Sequence, residues 1–187
     1  MNLVDCYKLS KRQMDSSRLM LDPNNPRLSL EWNAGQHYSR SQLCSKDVQD
    51  QVYQSVLAGK HRVSRLILSI SQKGFVPGSQ PMIVKRIGNS SDYLVLEGNR
   101  RTAAIRSLLV NKHELRPGIS QSIRKIPVEV FEYVKNSQHD EDEVVDVLLG
   151  TIHIEGPQEW GAMEKAYYVY RGYARELVRM RKRKTFT

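Results

Sequence analysis

The most constraining stretch of this chain is residues 93–109. There an apolar run, Tyr93-Leu94-Val95-Leu96, ends at Glu97 and gives way, through Gly98 alone, to apolar residues at helical spacing: Ala104, Ile105, Leu108 and Leu109. A short apolar run bounded by turn residues suits a strand and a 3.6-residue period suits a helix, so one glycine has to turn the first into the second. A chain organised around such a junction needs a sheet to take the strand and a layer to take the helix.

The flanking sequence supplies both. Pro81-Met82-Ile83-Val84-Lys85-Arg86 is a second apolar run, and the connector Gly88-Asn89-Ser90-Ser91-Asp92 pairs it with 93–97. Residues 17–30 read as a short strand entering a turn, because Asp22, Pro23, Asn24, Asn25 and Pro26 bias the backbone away from helix. Ile126-Pro127-Val128-Glu129-Val130-Phe131 is a further strand, its proline near the start, as an edge tolerates.

Helices are predicted from about Ser45 to Gly59, on Val48, Val52 and Val56, and from Val63 to Lys73, on Val63, Leu66, Ile67 and Ile70 with Gly74 as the stop. The polar residues 35–40 read as a loop. The acidic block His139–Glu143 opens another helix, where first-turn carboxylates suit the dipole better than they suit a metal. Gly156-Pro157 breaks the chain. A long helix then runs from about Gln158 toward Arg183, with Trp160, Met163, Ala166, Tyr167, Tyr170, Ala174, Leu177 and Val178 as a stripe for core or interface.

The fold class is therefore α+β: a small mixed sheet from segments near 18–22, 81–86, 93–97 and 126–131, surrounded by helices. The expected division is a domain over 1–155 and a C-terminal helix with a basic end over 156–187. That helix is also where a homodimer would form.

Charge narrows the partners. The chain carries a formal +9, and residues 171–187 hold seven basic side chains against Glu176, or +6 of that excess. Arg175, Arg179, Arg181, Lys182, Arg183 and Lys184 are the candidates for a nucleic-acid contact; the alternative is a solvated helix end. Two cysteines, Cys6 and Cys44, make no disulfide framework or zinc site. No apolar stretch reaches membrane-span length and Met1–Lys8 has no signal pattern, so the expected location is cytoplasmic, with no membrane partner.

The chemistry centres on Glu97-Gly98-Asn99-Arg100-Arg101-Thr102. Gly98 lets the backbone approach a ligand, and Asn99 is a good N-cap for a helix whose first amides point outward. Two adjacent guanidiniums supply bidentate donors for phosphate oxygens, and Glu97 can hold a metal, a ribose or one of those arginines. Two cations in a first turn oppose the helix dipole, which argues for a reason beyond solvation.

This turn resembles the Gly-x-x-Arg signature of the ParB/sulfiredoxin superfamily, which many members carry as Gly-Glu-Arg-Arg. Leu21-Asp22-Pro23-Asn24-Asn25-Pro26-Arg27 resembles the family's opening stretch. Leu68-Ser69-Ile70…Gly74-Phe75 is similar to its helix-to-loop segment, and Ile126-Pro127-Val128 to the strand after the signature helix. The resemblance spans roughly residues 17–170. It implies a nucleoside triphosphate, CTP or ATP with magnesium, on Gly98, Asn99, Arg100, Arg101 and Thr102, with Arg27, Phe75 and Val76 as neighbours.

Departures limit what it implies about activity. Partition-type members carry Glu-Asn-x-Gln-Arg where this chain reads Gly150-Thr151-Ile152-His153-Ile154, so their acidic residue is missing unless Glu155 replaces it. His153 reads as a satisfied helix-end histidine. Sulfiredoxin activity needs a cysteine where Asn99 stands and is rejected. Two classes of function remain. One is a ParB-like nucleotide-binding module associated with DNA, in partition, regulation or phage and mobile-element defence. The other is a phosphotransferase or nuclease with Glu97 as the catalytic base. A vestigial pocket in a protein-interaction module is the third reading.

Overall fold

A computed structural model of the chain describes residues 3–25, 38–58, 63–77, 80–110, 115–134, 139–154 and 161–184. Its strands are β1 (Tyr7–Asp15), β2 (Leu19–Leu21), β3 (Ile83–Arg86), β4 (Tyr93–Glu97) and β5 (Lys125–Tyr133). Its helices are α1 (Arg40–Leu43), α2 (Lys46–Ala58), α3 (Val63–Lys73), α4 (Asn99–Val110), α5 (Pro117–Arg124), α6 (Glu141–Ile154) and α7 (Ala162–Lys184). The chain forms two compact units. One is Lys8–Glu132; the other joins Met1–Tyr7 to Tyr133–Thr187, so α6 groups with α7.

The strands form one five-stranded mixed sheet in the order β1-β5-β3-β4-β2. β3 and β4 are antiparallel, with Val84 opposite Val95, while β2–β4 and β3–β5 are parallel. The architecture is α+β, as the sequence implies. All four predicted strands are present. β5, however, is an inner strand and not an edge. Pro127 is tolerated there because the ladder to β3 starts two residues later, at Glu129 opposite Ile83.

One face of the sheet contributes Leu19, Leu21, Val84, Val95, Val128 and Val130 to a core closed by Val52, Val56, Ile70, Ala104, Ile105 and Ile123 from the helices. Each large apolar side chain buried there is worth roughly 1.5–3 kcal/mol. The predicted stop of α3 is observed: the Gly74 amide bonds Ile70 O at 2.8 Å with φ at 76°.

β2 is an edge strand, and a side chain completes it. The Gln49 amide accepts from Leu21 N at 2.9 Å and donates to Leu21 O at 2.8 Å, reaching Leu43 O at 2.8 Å as well. Arg106 donates to Leu19 O and to Gln49 Oε1, both at 3.3 Å, with its guanidinium 5.6 Å from the centre of the Tyr53 ring.

In the second unit, the Asp140 carboxylate accepts from Glu143 N at 2.9 Å and opens α6. Val144, Val145, Leu148, Leu149 and His153 are buried. Facing residues hold α7 by charge. Asp146 pairs with Arg175 at 2.7 Å and with Arg171 at 3.7 Å, and Arg179 pairs with Asp140 and, at 2.9 Å, with Glu143. The Tyr168 hydroxyl donates to Asp146 O at 2.7 Å and lies where a side chain at Gly150 would begin. The carboxylates at the start of α6 thus act in capping and ion pairing.

Candidate phosphate-binding turn

At Gly98 the chain leaves β4 with φ at 111°, a conformation that favours glycine. A Cβ there would also stand 2.8 Å from Met82 Cγ. Both conditions are internal to the fold. They let α4 start directly against the end of the sheet, with Thr102 N donating to Gly98 O at 2.9 Å as the first helical bond.

Asn99 is the first residue of α4 and not its N-cap, and its buried side chain faces backward. Oδ1 accepts from Asp22 N at 2.9 Å and Nδ2 donates to Val95 O at 2.9 Å. Asp22 belongs to a turn fastened by its own bonds, Asn24 N to Asp22 Oδ1 at 2.9 Å and Asn25 N to Asp22 O at 3.2 Å. Asn25 Nδ2 also reaches Leu96 O at 3.3 Å. The Asp-Pro-Asn-Asn turn and the Glu-Gly-Asn-Arg-Arg turn are thus one piece of structure.

Arg101 has a comparable task. Its guanidinium donates to Gln80 O at 2.7 Å and Pro81 O at 3.2 Å, and it pairs with Glu97 at 3.5 Å. Burial lowers its pKa from the ordinary arginine value while Glu97 raises it. Of the three roles open to Glu97, the structure shows the arginine partner. No group of three or more potential metal ligands occurs among the described residues. Arg100 is half-buried in the same first turn, and Thr102 is buried with no hydrogen-bond partner for Oγ1 among the described residues.

Of the expected neighbours, Phe75 is half-buried, its amide donating to Ser122 Oγ at 3.1 Å, and Val76 is exposed. Arg27 and Gly78 lie outside the described residues. Sequence reasoning passed over Gln80, Pro81 and Met82 as parts of this site. The signal available was their proximity to the pairing strand, which puts residues just before β3 beside residues just after β4.

The basic residues of α7 divide. Arg175 and Arg179 are engaged with carboxylates of α6, and Arg181 is exposed; Lys182, Arg183 and Lys184 continue the helix, and their side chains lie outside the described set. Among the described residues, no helix is long and apolar enough to cross a membrane.

The chain matches no protein-family model and no curated protein. Among solved structures it matches the C-terminally truncated chromosome-partitioning protein ParB from Caulobacter crescentus, in complex with CTP-γ-S. The identity is 18% and the TM-score 0.39, over 81% of this chain and 55% of that one. This chain therefore spans about half the length of that protein.

Proposed function

We propose that the β4–α4 turn binds the phosphates of a nucleoside triphosphate, CTP or ATP with magnesium, in a module that associates with DNA through the basic end of α7. The observation that carries this reading is the combination at residues 98–101. A left-handed glycine starts a 12-residue helix at the end of β4, the amides of Asn99, Arg100 and Arg101 lie ahead of its first helical bond, and half-buried Arg100 stands in the same turn. Amides and positive dipole at a helix start, joined by a guanidinium, are complementary to phosphate oxygens. The motif resemblance supports the same ligand.

The side chains refine the roles. Asn99 and Arg101 position the turn, Arg100 is the guanidinium proposed for the phosphates, and backbone amides supply the remaining donors. Glu97 beside Arg101 fits a positioning residue better than a catalytic base, which places the phosphotransferase or nuclease reading second. For DNA, Arg181, Lys182, Arg183 and Lys184 remain the candidates.

Calorimetric titration of CTP, ATP, GTP and ADP with magnesium into the wild type and Arg100→Ala tests the pocket. Saturable binding that weakens at least tenfold in the variant is expected; absence of binding to the wild type overturns the reading. DNA affinity should fall steeply with salt, and removing the four terminal cations should flatten the slope by about 3–4.

A further inference from the structure

We propose that α7 is the seam of a parallel two-stranded coiled coil between two copies of this chain. The apolar residues of α7 recur at heptad spacing: Met163, Tyr170 and Leu177 at one position, Ala166, Tyr173 and Met180 at the other. That is three consecutive a/d pairs, the pattern two-stranded coils require. In the folded chain this stripe faces water. Tyr170 is 65% and Tyr173 64% exposed, Met163 and Met180 more than half, and Leu177 is the most covered at 39%.

The opposite side of the same helix is occupied. Tyr168, Arg171, Arg175 and Arg179 project about half a turn away from the stripe and are bound to Asp140, Glu143 and Asp146. α7 is therefore docked on its own chain through a polar face, and its apolar face is turned outward. This inverts the usual arrangement of a surface helix, in which the apolar stripe faces the core. Because those ion pairs already order the 23-residue helix, association does not have to form it.

The charges flanking the stripe select the occupant. Glu176 lies on one side, at a g position, and Arg181 on the other, at the e position five residues on. In a parallel coil the g residue of one helix meets the e residue of the next heptad on the other, so Glu176 of each copy meets Arg181 of its mate. The match is reciprocal and occurs twice, as a symmetric dimer requires. Both side chains are exposed, and Glu176 also leans on Arg179 at 3.6 Å. The four tyrosines of a pair place on the order of 500 Å² of surface within reach of the seam.

Sedimentation equilibrium of the full chain over a wide concentration series should show association to twice the 21.6 kDa of one chain. Tyr170→Glu with Leu177→Glu sets like charges against one another and should raise the dissociation constant roughly a hundredfold. The far-UV spectrum should be unchanged, because both positions face solvent. Glu176→Arg alone and Arg181→Glu alone should each weaken the dimer roughly fivefold, and the two together should restore it. Orientation is read by Met163→Cys in a Cys44→Ser background, where oxidation should link equal positions. A monomer at every concentration, a dimer indifferent to the seam charges, or a failure of the swapped pair to recover would each overturn the proposal.

Discussion

The backbone amide of Asp22 donates to Oδ1 of Asn99 at 2.9 Å, across 77 residues of sequence. With Nδ2 on Val95 O, the one amide side chain links the end of β2 to β4. The two motif segments that are distant in sequence are thereby held as a unit, and the start of α4 inherits its orientation from both strands.

Asn99→Ala should lower stability by about 2–4 kcal/mol in urea denaturation, because it leaves a buried donor and a buried acceptor unanswered. Asn99→Asp keeps the acceptor for Asp22 but faces Val95 O with a second oxygen, so it should not recover the wild-type midpoint. A midpoint equal to wild type in either variant would show that the link contributes nothing.

Gly98→Ala should cost about 2–3 kcal/mol through backbone strain at φ 111°, with the Met82 contact in addition. Adding Met82→Ala should recover only the contact. Full recovery in the double variant would show that crowding, and not the backbone, demands this glycine.

Much of this architecture is legible in the sequence, and the omissions have physical causes. Apolar patterning and turn residues mark α2, α3, α4, α6 and α7 and four of the five strands, while the loop expected over 35–40 gives way at Arg40 to the single turn of α1, capped by Ser39. β1 was missed because its Lys8, Lys11 and Arg12 are exposed on an edge, where few apolar residues are needed to place a strand. α5 was missed although Pro117 at its start and Ile119 with Ile123 carry a short amphipathic signal. At the site, Gly98 was legible because it terminates one period and begins another. The duties of Asn99 and Arg101 were not, because Asp22 and Gln80 come into reach only in the folded chain.

Arg100 and Arg101 should separate in their effects. Arg101→Ala removes donors to Gln80 and Pro81 and should reduce stability by roughly 1–3 kcal/mol. Arg101→Lys should rescue little, since an ammonium does not reproduce the planar fork across two carbonyls. Arg100→Ala should act mainly on nucleotide affinity. Thermal melts and calorimetry on the same preparations check both; equal affinity losses with no loss of stability would reverse the assignment of Arg101.

The α6–α7 link should be sensitive to acid. Burial pushes the carboxyls of Asp140 and Glu143 up, but hydrogen bonds and the Arg179 guanidinium hold both below their ordinary values, with the Glu143 amide helping Asp140 and His139 helping Glu143. A folded pKa below the unfolded one stabilises above the unfolded value, and that stabilisation disappears as pH falls through the folded value. The contribution should therefore fade below about pH 4. Asp146 has the opposite sign, since burial raises its pKa despite Arg171 and Arg175. Arg179→Met should flatten the loss of melting temperature between about pH 5 and 2; an unchanged pH profile would remove Arg179 from the acid response.

The amide of Gln49 answers both backbone groups of Leu21, as another strand would. Sheets recruit further strands where a row of N–H and C=O groups lies open, and here the row is stopped by a side chain anchored in α2. The cationic β1 guards the opposite border. Fibrillar growth by strand addition is thus discouraged at both margins of the sheet.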